Sequence, residues 1–228
     1  MIKAILTDIE GTITRISFVK EILFPYAAAR LPQFILDHQH DDSVAEQIDA
    51  VREELNNPEA SIDAVIDVLL EWIATDKKIT PLKQLQGLVW QFGYKNGDFT
   101  GHLYEDAYQF LTQQKAGGRD LYVYSSGSVK AQQLLFAYSD YGDIRSLFSD
   151  YFDTRIGAKQ EVSAYQNIVT ALPYEAEQIL FLSDVVAELD AAKAAGMKTL
   201  QLFRDAQAIS PEHPVISSFD HFDEGALL

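Results

Sequence analysis

The sequence predicts an α/β fold: a parallel sheet with helices on both faces, broken after its first strand by an inserted all-helical block. Three observations carry this. The chain opens on an apolar run, Ile2–Leu6, that stops at Thr7-Asp8-Ile9-Glu10-Gly11-Thr12. From Ser17 to about Lys95 apolar residues recur at helical spacing, with no convincing strand. Beyond Gly101, strand-length apolar runs alternate with helical stripes.

Each element has its own signal. Ile2–Leu6 reads as a buried strand, and Ser17 or a neighbour as the cap of a helix through Phe18, Ile22 and Leu23. Val44, Ile48, Val51 and Leu55 recur at i, i+4, i+7, i+11, and Ile62, Val65, Ile66, Leu69, Leu70 and Ile73 form a wide stripe. Thr80-Pro81 reads as an N-cap followed by proline at the first helical position. Leu82, Leu85, Leu88, Val89 and Phe92 continue that helix until the glycine-rich stretch Gly93–Gly101 ends the block. Tyr104, Ala107, Tyr108 and Leu111 then predict a helix closed by Gly117-Gly118. Leu121–Tyr124 is a short strand ending in Ser125-Ser126-Gly127-Ser128, and Val129–Tyr138 is helical. Tyr151-Phe152 gives a further short strand, and Val162, Tyr165, Ile168, Val169 and Leu172 a helix. Ile179–Leu182 is a strand ending in Ser183-Asp184, Val186–Ala195 a helix stopped by Gly196, and Thr199–Phe203 the final strand.

Composition limits the partners. The 228 residues suffice for one large domain, or for a core with an insertion. A net charge of −16 argues against nucleic acid and anionic membranes, but permits a small phosphorylated substrate if a metal or lysine reverses the field locally. The absence of cysteine excludes disulfides, thiolate zinc sites and a cysteine nucleophile. With no secretory leader pattern and no apolar run of membrane-spanning length, a cytoplasmic protein is expected.

Three strand ends carry polar side chains, Asp8/Glu10, Ser125/Ser126 and Asp184, and Lys159 follows Gly157 in a loop before a helix. Ligands of open α/β sheets bind at such strand ends. A carboxylate can attack phosphorus, provided a cation such as Mg²⁺ neutralises the phosphate. A second acid two residues on lies on the same side of a strand; if the chain bends, it can instead protonate the leaving group and then activate water. Serine hydroxyls and backbone N–H groups can hold phosphate oxygens, and a lysine supplies a point charge. Singly these features are weak: serines cap helices, and a loop lysine usually sits on the surface. Four of them in order, each in its strand context, are much more specific.

In that order they resemble the four motifs of the haloacid dehalogenase-like phosphohydrolases. More narrowly, Asp8-Ile9-Glu10-Gly11-Thr12, Tyr124-Ser125-Ser126-Gly127-Ser128-Val129 and Phe181-Leu182-Ser183-Asp184-Val185 resemble the enolase-phosphatases of methionine salvage, which carry Glu as the second acid of the first motif. The resemblance implies a Rossmann-like core, 1–14 and 103–228, with the first strand between those bearing Ser125 and Asp184. It implies an all-helical cap, 15–102, over the site. It implies Asp8 as nucleophile and Glu10 as acid/base, with Mg²⁺ held by Asp8, Glu10 and Asp184, and substrate held by Ser125, Ser126 and Lys159. The implied reaction converts 2,3-diketo-5-methylthiopentyl-1-phosphate, through its enol, to the acireductone and phosphate, in a monomeric enzyme. The same core could instead serve another small phosphate ester. A dehalogenase would need neither Glu10 nor Asp184, a mutase would keep water out, and a silent binding protein would not need every motif residue. His102 stands as either an enolisation base or a structural hydrogen-bonding group, and Asp190 as either support for the site or a surface acid.

Overall fold

A computed structural model describes residues 1–204 and 209–227; residues 205–208 and 228 of the expected core segment lie outside the described residues. The chain divides into two compact units, Met1–Ile16 with Thr100–Leu228, and Ser17–Phe99.

The first unit is built on six strands: β1 Ala4–Thr7, β2 Asp120–Tyr124, β3 Phe148–Phe152, β4 Ile179–Ser183, β5 Lys198–Leu202 and β6 Val215–Ile216. Their order is β3-β2-β1-β4-β5-β6, all pairs parallel. β1 therefore lies between the strands that lead to Ser125 and Asp184. Thr7 is level with Val123 on one side and Leu182 on the other, so the three strand ends open at one height. The strands read as near-continuous apolar runs because both faces are buried. Ala4, Leu6, Tyr122, Tyr124, Ile179 and Phe181 pack on one face with α7 (Val162–Ala171) and α8 (Val186–Ala194), through Ala164, Tyr165, Ile168, Leu189 and Ala192. The alternate residues Ile5, Leu121, Val123, Leu180 and Leu182 are fully buried too. Each such large side chain stabilises the fold by about 1.5–3 kcal/mol. α5 (Glu105–Ala116) packs against β2 and α6 (Val129–Ala137) against β3.

β3 is longer than the Tyr151-Phe152 the sequence suggests. It begins at Phe148, but Ser149 and Asp150 face solvent on this edge strand and hide its alternation. The two-residue β6 has no sequence signal of its own.

The second unit is all helical: a wide π-helical turn at Phe18–Leu23 running into α1 (Phe24–His38), then α2 (Asp42–Glu54), α3 (Ile62–Ala74) and α4 (Thr80–Asn96). Pro25 and Pro32 lack an N–H, so an unbroken α-helical ladder from Phe18 to His38 is not possible, and the wide turn precedes Pro25. Ser17 makes no capping bond, and the cap of α4 is Ile79, with Thr80 its first helical residue. α4 also runs through Gly93, where a Cβ would lie 2.5 Å from the Phe99 ring and 2.8 Å from that of Tyr26. Leu31, Ile35, Ile48, Val51, Leu69 and Leu85 join in one apolar core.

Candidate active site at the ends of β1, β2 and β4

Asp8 continues the β1–β4 pairing one residue past the strand, its N–H donating to the Leu182 carbonyl at 2.8 Å. The chain then folds into a tight loop. The N–H groups of Thr12, Ile13 and Thr14 converge on the Ile9 carbonyl, and the Gly11 N–H donates to Thr14 at 2.8 Å. Gly11 sits at φ +80°, and a Cβ there would lie 2.3 Å from Asp184 Oδ2. Glycine is thus needed twice, for the turn and for the approach to Asp184. Asp184 follows β4, is 3% exposed, and its carbonyl accepts from Gln201 Nε2 at 3.3 Å.

Lys159 is buried with its ammonium on Asp8 and, at 2.8 Å, on Glu188. Its carbonyl accepts from the Tyr165 hydroxyl at 2.7 Å, which fixes the loop before α7. Burial would lower the lysine pKa, but the carboxylates of Asp8 and Glu188 overcome it and hold the ammonium well above its usual range. One ammonium cannot neutralise both acids. The excess appears on Glu188, which burial and then the charge of Asp8 push up to about 7. Ser183 donates to Glu188 at 2.9 Å.

The Glu10 carboxyl is pushed up as well, by burial first and by Asp8 second, so it holds its proton more readily than an ordinary glutamate. Ser125 Oγ donates to it at 3.1 Å and accepts from the Gly127 N–H at 3.1 Å. Gln132, buried on α6, donates to the carbonyls of Gly127 (2.8 Å) and Phe152 (2.9 Å) and so holds this turn. Ser128 caps α6, accepting from Ala131 N–H at 3.3 Å. Ser125 faces Glu10, while Ser126, next to it, is exposed.

The structure therefore gathers Asp8, Glu10, Ser125, Lys159 and Asp184 at adjacent strand ends. His102 Nδ1 accepts the Arg15 N–H at 3.2 Å and lies 3.0 Å from Thr14 Oγ1; burial lowers its pKa, which suits a neutral, structural imidazole. Asp190 is exposed and pairs with His213 Nε2 at 2.9 Å. Glu188, to which the sequence motifs assign no role, joins the strand-end residues through Lys159. Its one signal is its position, four residues after Asp184 and on the first turn of α8.

The carboxylate oxygens of Asp8, Glu10 and Asp184 form the donor class that hard divalent cations take. Among the described residues no three acidic or imidazole side chains converge as a ready metal cluster. Asp8 is turned to Lys159 and Glu10 to Ser125. No described helix is long and apolar enough to cross a membrane.

The haloacid dehalogenase-like hydrolase family matches residues 2–196. Enolase-phosphatase E1 of Pseudomonas aeruginosa (strain LESB58) is 54% identical over 218 residues, 96% of each chain. Its namesake from Erwinia tasmaniensis is 52% identical over 100% of this chain and 99% of its own. Among solved structures, the UTR4 protein of Saccharomyces cerevisiae superposes with a TM-score of 0.82 at 35% identity, covering 97% of this chain and 100% of its own. CbbY from Rhodobacter sphaeroides, with a TM-score of 0.62 at 16% identity over 97% and 96% of the two chains, shares the fold.

Proposed function

The chain belongs to the haloacid dehalogenase-like hydrolases and, within them, to the enolase-phosphatases, and on that basis we propose that it is the Mg²⁺-dependent enolase-phosphatase of methionine salvage. Its substrate in this reading is 2,3-diketo-5-methylthiopentyl-1-phosphate, which it enolises and then dephosphorylates to the acireductone, 1,2-dihydroxy-3-keto-5-methylthiopentene. The observation that supports it most is the buried contact of Lys159 with Asp8 at the mouth of the sheet, with Glu10 held protonatable one loop away.

Asp8 attacks phosphorus and forms an acyl-phosphate as the P–O bond to the enol breaks. Glu10 gives its proton to the departing oxygen, and its carboxylate then takes a proton from the water that hydrolyses the acyl-phosphate. Lys159 offsets the negative charge of the transferring group, and Ser125 and Ser126 hold its oxygens. Asp8, Glu10 and Asp184 would hold Mg²⁺, whose charge would stabilise phosphate and enediolate oxygens. The helical unit Ser17–Phe99 is the cap in this reading, in a cytoplasmic monomer.

The test incubates the diketo phosphate with protein and Mg²⁺ and follows enol absorbance and inorganic phosphate together. The expected course is a transient enol followed by acireductone and phosphate, both lost with EDTA and restored by Mg²⁺. Phosphate without enol or acireductone would leave a phosphatase for another small ester, and activity that resists the chelator would remove the metal from the reading.

A further inference from the structure

We propose that Arg204 is a positioning residue for the acid-bearing loop: it holds the Thr12 carbonyl and so keeps Glu10 and Gly11 in place beside Asp8 and Asp184. Arg204 lies just beyond β5, with its side chain 9% exposed. Its Nε donates to the Thr12 carbonyl at 2.8 Å, and a terminal nitrogen donates to Asp106 Oδ2 at 2.9 Å. Asp106, in the first turn of α5, is itself fixed by the Phe219 N–H at 2.8 Å and Ser218 Oγ at 3.0 Å. The guanidinium carbon lies 4.1 Å from the ring centre of Tyr104 and 5.3 Å from that of Phe219.

Packing alone is a poor reason for this arrangement. A buried ion pair roughly breaks even against apolar side chains of the same volume. What an apolar side chain cannot do is donate a directed hydrogen bond to the loop while anchored at its far end. The loop has use for one. Three of its N–H groups turn inward onto the Ile9 carbonyl, and two of the carbonyls that follow take donors from outside: the Tyr104 N–H binds Ile13 O at 3.0 Å, and Arg204 binds Thr12 O. Glu10 stands two residues before Thr12, so a small drift of this turn moves the proton donor away from the leaving oxygen, where displacements near 1 Å cost about 100-fold in rate. The proposal rests on the phosphatase reading of Asp8 and Glu10, whereas the brace can be measured without turnover.

Arg204→Lys keeps a cation for Asp106 but cannot reach both partners in the fixed planar geometry. It should lower kcat on the order of 10-fold with KM changed by less than about 2-fold. Amide hydrogen exchange at residues 12–14 should quicken, while β1 stays protected. Asp106→Asn should give the same pattern more weakly. In Arg204→Ala, millimolar guanidinium ion should restore part of kcat, a response that a merely structural role would not give. Wild-type kcat together with wild-type exchange at residues 12–14 in Arg204→Lys would overturn the brace. So would a kcat loss no larger than that of Ile168→Val, a remote core variant, at equal loss of melting temperature. If wild-type protein releases no phosphate from the diketo substrate, the substrate reading fails, and amide exchange alone then decides the brace.

Discussion

The two units bury different things. Between Ser17 and Phe99 the interior is largely apolar, and Gln86 is the one buried polar side chain among the described residues apart from aromatic ones. The sheet unit buries Asp8, Lys159, Asp184 and Glu188 within a few residues of its strand ends, with Ser125 and Gln132 beside them. Buried charge costs several kcal/mol per ion before pairing offsets it. The helical unit is thus a body whose sequence serves packing, whereas the strand ends are kept in a state that packing alone would not select. Substitutions in the two places should therefore fail in different ways.

The largest effect is expected at Asp8. Asp8→Asn should abolish phosphate release, a loss above about 10⁴-fold, while a folded protein is still recovered. Retained turnover in a phosphate assay would remove Asp8 as nucleophile. Leu69→Ala, in the centre of α3 and fully buried, should do the reverse. It should cost about 2–5 kcal/mol in urea unfolding, while turnover per folded molecule changes far less than in Asp8→Asn.

Next in size is a pH effect. The folded protein holds the Glu188 proton up to about pH 7, against an ordinary value of 4.5, so the folded state binds the extra proton. Its contribution must then fall as pH rises from about 4.5 to about 7, by roughly 3 kcal/mol at most. Lys159 works in the same direction, its raised pKa contributing stability that is lost as pH rises, but only at strongly alkaline pH, outside that window. Urea titrations at pH 5 and pH 8 should show a smaller difference for Glu188→Gln than for wild type; equal differences would mean that Glu188 is not the group responsible. The smallest effect is at Ser61, which caps α3 by accepting from the Ala64 N–H at 3.2 Å. Ser61→Ala should cost about 1 kcal/mol and leave kinetics unchanged.

The same division explains what the sequence reveals. β1, β2, β4 and β5 are plain in it because parallel strands buried on both faces are short apolar runs, and the residues after them, Asp8, Ser125 and Asp184, stand out by contrast. Local signals fade where long-range contacts decide. Glu188 reads as one more acid on a short helix, and only the approach of Lys159 from another loop gives it a task. Arg204 likewise reads as a surface charge until Asp106 and Thr12 are seen around it. The wide turn at Phe18–Leu23 escapes periodicity because apolar spacing cannot tell a π turn from an α turn.

The central position of β1 also bears on biosynthesis. A ribosome delivers β1 first, but its two neighbours, β2 and β4, lie far downstream. At ordinary elongation rates β1 must wait roughly 10–35 s for β4. Meanwhile the emerging helices can find one another, because their core contacts are close in sequence. The nascent chain thus carries β1 unpaired until β2 emerges, and Asp8 meets Lys159 and Asp184 only after the loop before α7 and the end of β4 have left the tunnel.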